Sequence, residues 1–304
     1  MGQILDGEVL ATKIKQEVKE RVNRLNEKGV QPQLVALLIG DNPGARIYAN
    51  QQKKACEEMG IKYNLAELPK ETTEEQALEF VRKLNQDKTV TGIIIQMPFP
   101  AQINARRVQT EIDQQKDVEG IHPANIGLVV YGRHKVAPCT ALGAIELLKS
   151  SGVDLKGKET VVVGHSEIVG KPVMLLLLQS ILESPTVTVC HIATKDLVFH
   201  TKRAEILIVA AGKAGLIKGD MIKDGAIVID IGINRVPVLD GNGQPVLDDK
   251  GKKKMKTVGD VEFDKAKDKC SFISPVPGGV GPLTVAMLLK NIITCAEWQF
   301  DIKK

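Results

Sequence analysis

Aromatic side chains are scarce in this chain: 3% of 304 residues, with one Trp, three Tyr and six Phe. So few rings argue against a function that stacks successive nucleic-acid bases. Charge of one sign is also in short supply. The 41 Lys and Arg residues stand against 37 Asp and Glu, a formal net charge of +4. That excess mildly favours an anionic small molecule and falls far short of a nucleic-acid footprint. Cysteine is sparse, with five residues at 56, 139, 190, 270 and 295 and no C-x-x-C pair. A disulfide scaffold and a metal centre are therefore not expected, and reduced thiols in a cytosol fit better. Long apolar runs are missing as well. The longest, Val173 to Leu178, is far too short to cross a bilayer. The opening MGQILDGEVLATKIKQEV carries acids early and has no signal-peptide core. The expectation is a soluble, cytoplasmic protein without nucleic-acid or membrane partners.

The remainder reads as an ordinary globular chain. Hydrophobic residues make up 43% and charged residues 26%, and the length suggests two domains. Residues 7–28 carry Val9, Leu10, Ile14, Val18, Val22 and Leu25 at spacings of three or four, an amphipathic helix. Leu34 to Ile39 and Gly92 to Gln96 are continuous apolar runs, which suit strands buried on both faces of a parallel sheet. Between them lie a helix ending near Met59, an alternating strand from Lys62 to Leu68, and a helix over roughly 73–85. The spacing Thr72-x-x-Glu75 is that of a capping box opening that helix. The alternation resumes with strands at Thr160–Val163, Thr186–Cys190, Ile206–Val209 and Ala226–Ile229, and a helix from Val169 to Leu182. Strands alternating with helices on this scale predict parallel α/β sheets. A seam is expected near 120–140, rich in Gly, Pro and His, and another after Pro275-Val276-Pro277-Gly278-Gly279. Residues 236–258 read as a polar excursion, with a turn at Asp240–Gly243 and a solvated basic tip at Lys250–Lys256.

Four segments carry candidate chemistry. Gly164-His165-Ser166-Glu167-Ile168-Val169-Gly170 directly follows the strand Val161–Val163. Glycines at such a strand-to-helix turn let the backbone approach a pyrophosphate, although G-x-S-x-x-x-G is not the standard spacing. Ala210-Ala211-Gly212 and Asp230-Ile231-Gly232-Ile233-Asn234 close two later strands, where small residues leave room for a ligand. Tyr48 and Gln52 share one helical face, a pattern equally suited to packing and surface. Lys116-Asp117-Val118-Glu119-Gly120, with His122, Pro123 and Asn125 close behind, suggests a shaped polar loop rather than a helix. Finally, Pro275 to Pro282 is either a rigid linker or a wall of a binding cleft.

Together these stretches resemble the methylenetetrahydrofolate dehydrogenase/cyclohydrolase family over essentially the whole chain. The matching segments include Ile47-Tyr48 with Lys54–Glu58, Gly92–Pro98, Lys116–Val118, Pro138–Thr140, Val161–Pro172, Ala226–Asn234, Val258–Val261 and, most specific, PVPGGVGPLT at 275–284. The resemblance implies two three-layer α/β domains, the second a Rossmann-like parallel sheet, with a substrate cleft between them. On that reading residues 1–139 form a folate-site domain, on which a C-terminal helix (283–304) packs back, and 140–282 form the dinucleotide domain. It also implies a homodimer, NADP or NAD as cofactor, and tetrahydrofolate derivatives as substrates in one-carbon metabolism and purine biosynthesis. The reaction implied is oxidation of 5,10-methylenetetrahydrofolate to the methenyl cation, followed by hydrolysis to 10-formyl-tetrahydrofolate.

Carried over by position, the catalytic residues are Tyr48, Gln52, Gln96 and Glu119. Tyr48, Gln96, Glu119, Pro277, Gly278 and Gly279 bind substrate. Gly164, His165, Ser166, Ile168, Val169, Gly170, His191, Ala211, Gly212, Gly232, Ile233 and Asn234 bind the dinucleotide. Two positions depart from the family pattern, since Gln52 replaces a lysine and Glu119 replaces the aspartate of K-D-V-D-G. A neutral amide cannot exchange protons as an ammonium does, so a weakened cyclohydrolase step is expected, with Lys53 a strained substitute. The same departures leave room for a non-catalytic folate- or dinucleotide-binding paralogue, or a Rossmann oxidoreductase of another small substrate. No acid follows the strand at Cys190-His191 to select NAD, and His165, His191 or Lys195 could meet a 2′-phosphate.

Overall fold

Hydrophobic periodicity sets where the strands lie, and turn chemistry sets where they stop. The computed structural model describes residues 2–249 and 251–302. Its elements begin with β1 (Gln3–Ile4), α1 (Gly7–Glu27), β2 (Gln33–Ile39), α2 (Pro43–Met59), β3 (Lys62–Leu68), α3 (Glu74–Gln86), β4 (Gly92–Gln96), α4 (Ala105–Glu111), α5 (Pro123–Val130) and α6 (Cys139–Lys149). They continue with β5 (Glu159–Val163), α7 (Gly170–Leu177), β6 (Thr186–Cys190), α8 (Leu197–Arg203), β7 (Ile206–Val209) and β8 (Ile227–Asp230). Last come β9 (Asn234–Pro237), β10 (Met255–Val258), α9 (Phe263–Ala266), β11 (Phe272–Ile273) and α10 (Val280–Gln299).

The chain divides into two compact units, Ala11–Cys139 with the chain from Val285 on, and the residues up to Leu10 with Thr140–Thr284. The first holds a three-stranded parallel sheet in the order β3-β2-β4. Val35, Leu37 and Ile39 face a core shared with Ala77, Leu78 and Val81 of α3, while Leu34, Ala36 and Leu38 on the other face are also fully buried. This is why β2 reads as an unbroken apolar run. Asn42 caps α2 by accepting from the Ala45 N–H at 3.0 Å. The box that opens α3 sits one residue later than its sequence spacing suggests. Thr73 Oγ1 accepts from Gln76 N–H, and Gln76 Oε1 accepts from Thr73 N–H at 2.9 Å. Thr72 is buried instead. On the other side of the helix layer, Arg21 of α1 grips Glu297 of α10 with two bonds of 2.9 and 2.7 Å.

The second unit carries a six-stranded parallel sheet in the order β1-β11-β8-β7-β5-β6. The Gln3–Ile4 strand pairs with Phe272–Ile273, so the first residues join this sheet rather than the folate-site domain to which the sequence assigned them. Helix α7 is shorter than its apolar run, because the backbone turns back before Pro185, with Ser180 N–H donating to Ser184 Oγ at 3.1 Å. Ile181 and Leu182 fall outside it and are exposed. The excursion after Asn234 is an antiparallel β9–β10 hairpin. Asp240 Oδ1 accepts from Asn242 and Gln244 N–H groups at 2.9 Å, building the turn expected there. Of its basic tip, Lys252, Lys253 and Lys254 are exposed, while Lys250 lies outside the described residues.

Helix α10 is the one described helix long and apolar enough to cross a membrane by length and composition, and 61% of its apolar window is buried within the protein. The Arg21–Glu297 pair is nearly out of water, with side chains 10% exposed on each partner. Removing one member leaves a buried charge unpaired. Arg21→Ala is therefore expected to lower unfolding free energy by about 3 kcal/mol, read from urea denaturation followed by circular dichroism.

Candidate functional site

The polar residues singled out in the first unit converge at the carboxyl end of β4 and the first turns of α2. The side chains of Gln96 and Gln52 meet there, 2% and 1% exposed. Gln96 Nε2 donates to Gln52 Oε1 at 2.8 Å. Gln52 Nε2 is left buried without a hydrogen-bond partner. Tyr48, one turn earlier on α2, is 41% exposed. Burial of its hydroxyl raises its pKa, the charges of Cys139 and Glu119 add to the rise, and the Gln52 amide opposes it. Lys53 points elsewhere, its Nζ 3.8 Å from Glu57 on the surface.

The Lys116–Gly120 loop is shaped by side chains whose work is local. Lys116 Nζ donates to the carbonyls of Leu84, Asn85 and Asp87 at 2.7–2.8 Å, closing the end of α3. Asp117, 2% exposed, accepts from Gly120 N–H at 3.1 Å, His122 N–H at 2.8 Å and Asn125 Nδ2 at 2.8 Å. Asn125 lies in α5, a helix where the sequence suggested only a loop. Gly120 has φ +72°, and a Cβ there would sit 2.2 Å from the Ala137 backbone, so only glycine fits. Asn291 of α10 donates to the carbonyls of Val118 and Ala137 at 2.9 and 3.0 Å. The Cys139 thiol donates to Val118 O at 3.4 Å, and burial pushes its pKa well above the ordinary thiol value.

Glu119 is thus held at both neighbours while its own side chain stays partly exposed. Burial, reinforced by the Asp117 charge, pushes its carboxyl up to about 8. Tyr48, Gln52, Gln96 and Glu119 form one neighbourhood, as their sequence positions suggested. Pro277, Gly278 and Gly279 belong to the second unit, where the Val276–Pro277 peptide is cis and Gly278 O accepts from Gly7 N–H at 2.9 Å.

The second cluster lies at the carboxyl ends of β5, β6, β7 and β8. Gly164 has φ +124°, with the Ala210 carbonyl where a Cβ would point, and a Cβ on Gly170 would strike Gly164 O at 2.0 Å. The turn therefore closes only with glycine at both ends. Ser166 Oγ accepts from Val169 N–H at 3.2 Å. Ile168 and Ile233 are exposed apolar side chains on this edge, at 55% and 68%. His165 and His191 meet edge to face, ring centroids 4.9 Å apart. His191 Nδ1 accepts from Ala193 N–H at 3.2 Å, which leaves Nε2 as its outward donor.

Two carboxylates that sequence reasoning passed over hold this edge in place. Asp260, fully buried, accepts from the N–H groups of Ala211, Gly212 and Lys213 at 2.6, 2.8 and 2.9 Å and from Asn234 Nδ2 at 2.8 Å. Asp230 accepts from Gly232, Asp260 and Val261 N–H groups at 2.9, 3.1 and 2.9 Å. Burial pushes Asp230 up to about 6 against those bonds. Asp230 ends a predicted strand and Asp260 sits in a motif already noticed. For Asp230 the available signal was an acid directly after the apolar run Ile227-Val228-Ile229.

A parallel sheet in which β5 feeds a glycine-closed turn defines an α/β chain of the dinucleotide-binding class. Residues 138–300 match the model of the tetrahydrofolate dehydrogenase/cyclohydrolase NAD(P)-binding domain, and residues 5–119 that of the tetrahydrofolate dehydrogenase/cyclohydrolase catalytic domain. The bifunctional protein FolD of Acetivibrio thermocellus is 45% identical over 302 residues, covering 99% of both chains. That of Moorella thermoacetica is 46% identical over 296 residues, 97% of this chain and 99% of its own. The bifunctional FolD methylenetetrahydrofolate dehydrogenase/cyclohydrolase of Campylobacter jejuni has a similar structure, with TM-score 0.88, 42% identity, and coverage of 98% of this chain and 100% of its own. The Trypanosoma brucei enzyme, solved with NADP and an inhibitor, gives TM-score 0.87 at 36% identity, covering 98% of each chain. The chain belongs to the tetrahydrofolate dehydrogenase/cyclohydrolase family.

Removing the Asp260 carboxylate would orphan three buried backbone donors at about 1–3 kcal/mol each. Asp260→Ala is expected to lose about 3 kcal/mol or more of stability. Asp260→Asn also loses stability, because one of its two oxygens becomes a donor facing donors. Thermal and chemical denaturation read both.

Proposed function

We propose that this chain oxidises 5,10-methylenetetrahydrofolate to the methenyl cation with NADP as hydride acceptor, and hydrolyses that cation to 10-formyl-tetrahydrofolate. The observation that carries the reading is the buried Gln52–Gln96 amide pair with its unpaired Nε2 donor, set beside Tyr48 and Glu119 in a chain of this family. A buried donor without a partner is costly and marks a place where a ligand atom accepts.

Hydride transfer needs placement more than covalent help. Tyr48, Gln96 and Glu119 orient the folate, with Pro277, Gly278 and Gly279 as further substrate positions. The nicotinamide, when bound, supplies the hydride acceptor. Residues of the second unit fit a dinucleotide: the glycine-closed Gly164–Gly170 turn lets backbone approach a pyrophosphate, and Ala211, Gly212, Gly232, Ile233 and Asn234 line a small-residue edge. Two exposed imidazoles, His165 and His191, stand where an acid would select NAD, which favours a 2′-phosphate and hence NADP. Gln52 and Glu119 led the sequence reading to expect a weak second step. The bifunctional names of relatives at 44–46% identity support keeping it, and they weigh against a non-catalytic paralogue.

The five thiols are all free and buried, which supports action in a reducing cytoplasm. A homodimer is the assembly we infer. Its surface is the outer edge of the six-stranded sheet at β6, where Val189 is 37% exposed, with Ile181 and Leu182 of the segment leading into β6 exposed at 99% and 76%.

Purified protein given methylenetetrahydrofolate and NADP should form methenyl product and reduced cofactor, followed by absorbance at a pH that preserves the methenyl cation. No reduced cofactor with either dinucleotide would overturn the reading. In calorimetry, His165→Ala should weaken NADP about tenfold and leave NAD nearly unaffected.

A further inference from the structure

Ring opening by water requires a group that takes a proton from the incoming water and gives one to the departing nitrogen. The basic side chains nearby are otherwise engaged or turned away. Lys53 pairs with Glu57 at the surface, and Lys54 is exposed. Lys116 Nζ is bound by three carbonyls, and His122 Nδ1 accepts from Ala124 N–H at 3.1 Å. Gln52 and Gln96 are amides and do not titrate in water.

The titratable groups facing this spot are Tyr48 on α2, Asp117 and Glu119 on the loop, and Cys139 at the start of α6. Asp117 is committed to three N–H donors. The Tyr48 hydroxyl and Cys139 thiol are both held above values that are already alkaline. Glu119 alone has a side chain that is free, partly exposed and rigidly mounted. Val118 O before it is gripped by Asn291 and Cys139, and Gly120 N–H after it by Asp117. Gln52, for its part, has its oxygen fixed by Gln96, while its buried amide nitrogen makes no full hydrogen bond and faces the Tyr48 hydroxyl.

We propose, resting on the folate reading above, that Glu119 is the catalytic proton carrier of the ring-opening step and that the free N–H of Gln52 holds the oxygen being added. A water oxygen bonds to the methenyl carbon, and one of its protons passes to the Glu119 carboxylate. The remaining hydroxyl proton leaves to solvent as the carbon–oxygen pair closes to a carbonyl. The bond from that carbon to one ring nitrogen breaks, and the nitrogen keeps the electron pair and takes the proton from Glu119. Cation plus water gives neutral formyl product and one solvent proton. Nothing is oxidised, and the carboxylate is restored. Two side chains thereby divide the work, one supplying the fixed donor and the other the movable proton.

The carboxylate starts the cycle, so the rate follows the ionised fraction of Glu119, and a carboxyl near neutrality is well poised for such work. Ring opening, corrected for the protein-free rate in each buffer, should rise with pH through a midpoint near 8 and level off above it. Glu119→Gln should flatten that limb and lower the ratio of ring opening to hydride transfer by about 100-fold. Glu119→Asp should restore part of the ratio and a titrating limb. Circular dichroism and thermal denaturation of the same samples report that each variant is folded. The proposal is overturned if Glu119→Gln keeps the wild-type ratio and limb. It also falls if the wild type shows no ring opening while hydride transfer proceeds, an outcome that leaves the dehydrogenase intact. Loss of both activities in the wild type overturns the underlying reading instead.

Discussion

Carboxylates taken out of water decide where the functional loops of this protein lie. A buried acid must be met by donors or it neutralises, and here Asp117, Asp230 and Asp260 are met almost entirely by backbone N–H groups. Each carboxylate pulls a loop into one shape. Asp117 folds the turn that presents Glu119, and Asp260 draws the end of β7 toward Asn234 after β8. Irregular backbone can be packed this deeply because its polar groups are satisfied. The tilt of one loop is then inseparable from folding itself. The same logic makes these loops rigid without any covalent staple, in a chain that has no disulfide among its described residues.

The parallel strands were legible because their burial on both faces leaves unbroken apolar runs, as at β2 and β4. The Gly164 turn was legible because close backbone contact admits only glycine. Other features were hidden for physical reasons. Strand β1 is two residues long, too short for a periodic signal, and it joins a sheet whose other strands begin beyond residue 150. The cap of α3 moved from Thr72 to Thr73, a shift that adjacent threonines cannot resolve in sequence. Helices α4 and α8 have seven residues each, too short to show an amphipathic period. Asn291 acts on carbonyls 173 and 154 residues away. No local pattern announces such a partner, so its part in fixing Val118 emerged only in three dimensions. Tyr48, Gln96 and Glu119 lie far apart in the sequence, and Tyr48 feels the Glu119 charge only in the folded chain. The sequence alone gave no hint that the Gln52 amide would be left with a free donor.

A lysine in place of Gln52 would change the electrostatics around Glu119. An ammonium there would pull the Glu119 carboxyl toward permanent ionisation. With an amide there, burial, reinforced by the Asp117 charge, pushes the carboxyl up to about 8.

Every thiol of the chain is buried, and burial raises Cys56 to about 12 and Cys270 to about 11, with Cys139, Cys190 and Cys295 also raised. Since the thiolate is the reactive form, an alkylating reagent meets almost none of it in the folded protein and must wait for the chain to open. Cys56, Cys139 and Cys295 lie in one compact unit, Cys190 and Cys270 in the other. The order in which these five sulfurs become labelled is accordingly a built-in record of which half of the protein breathes first.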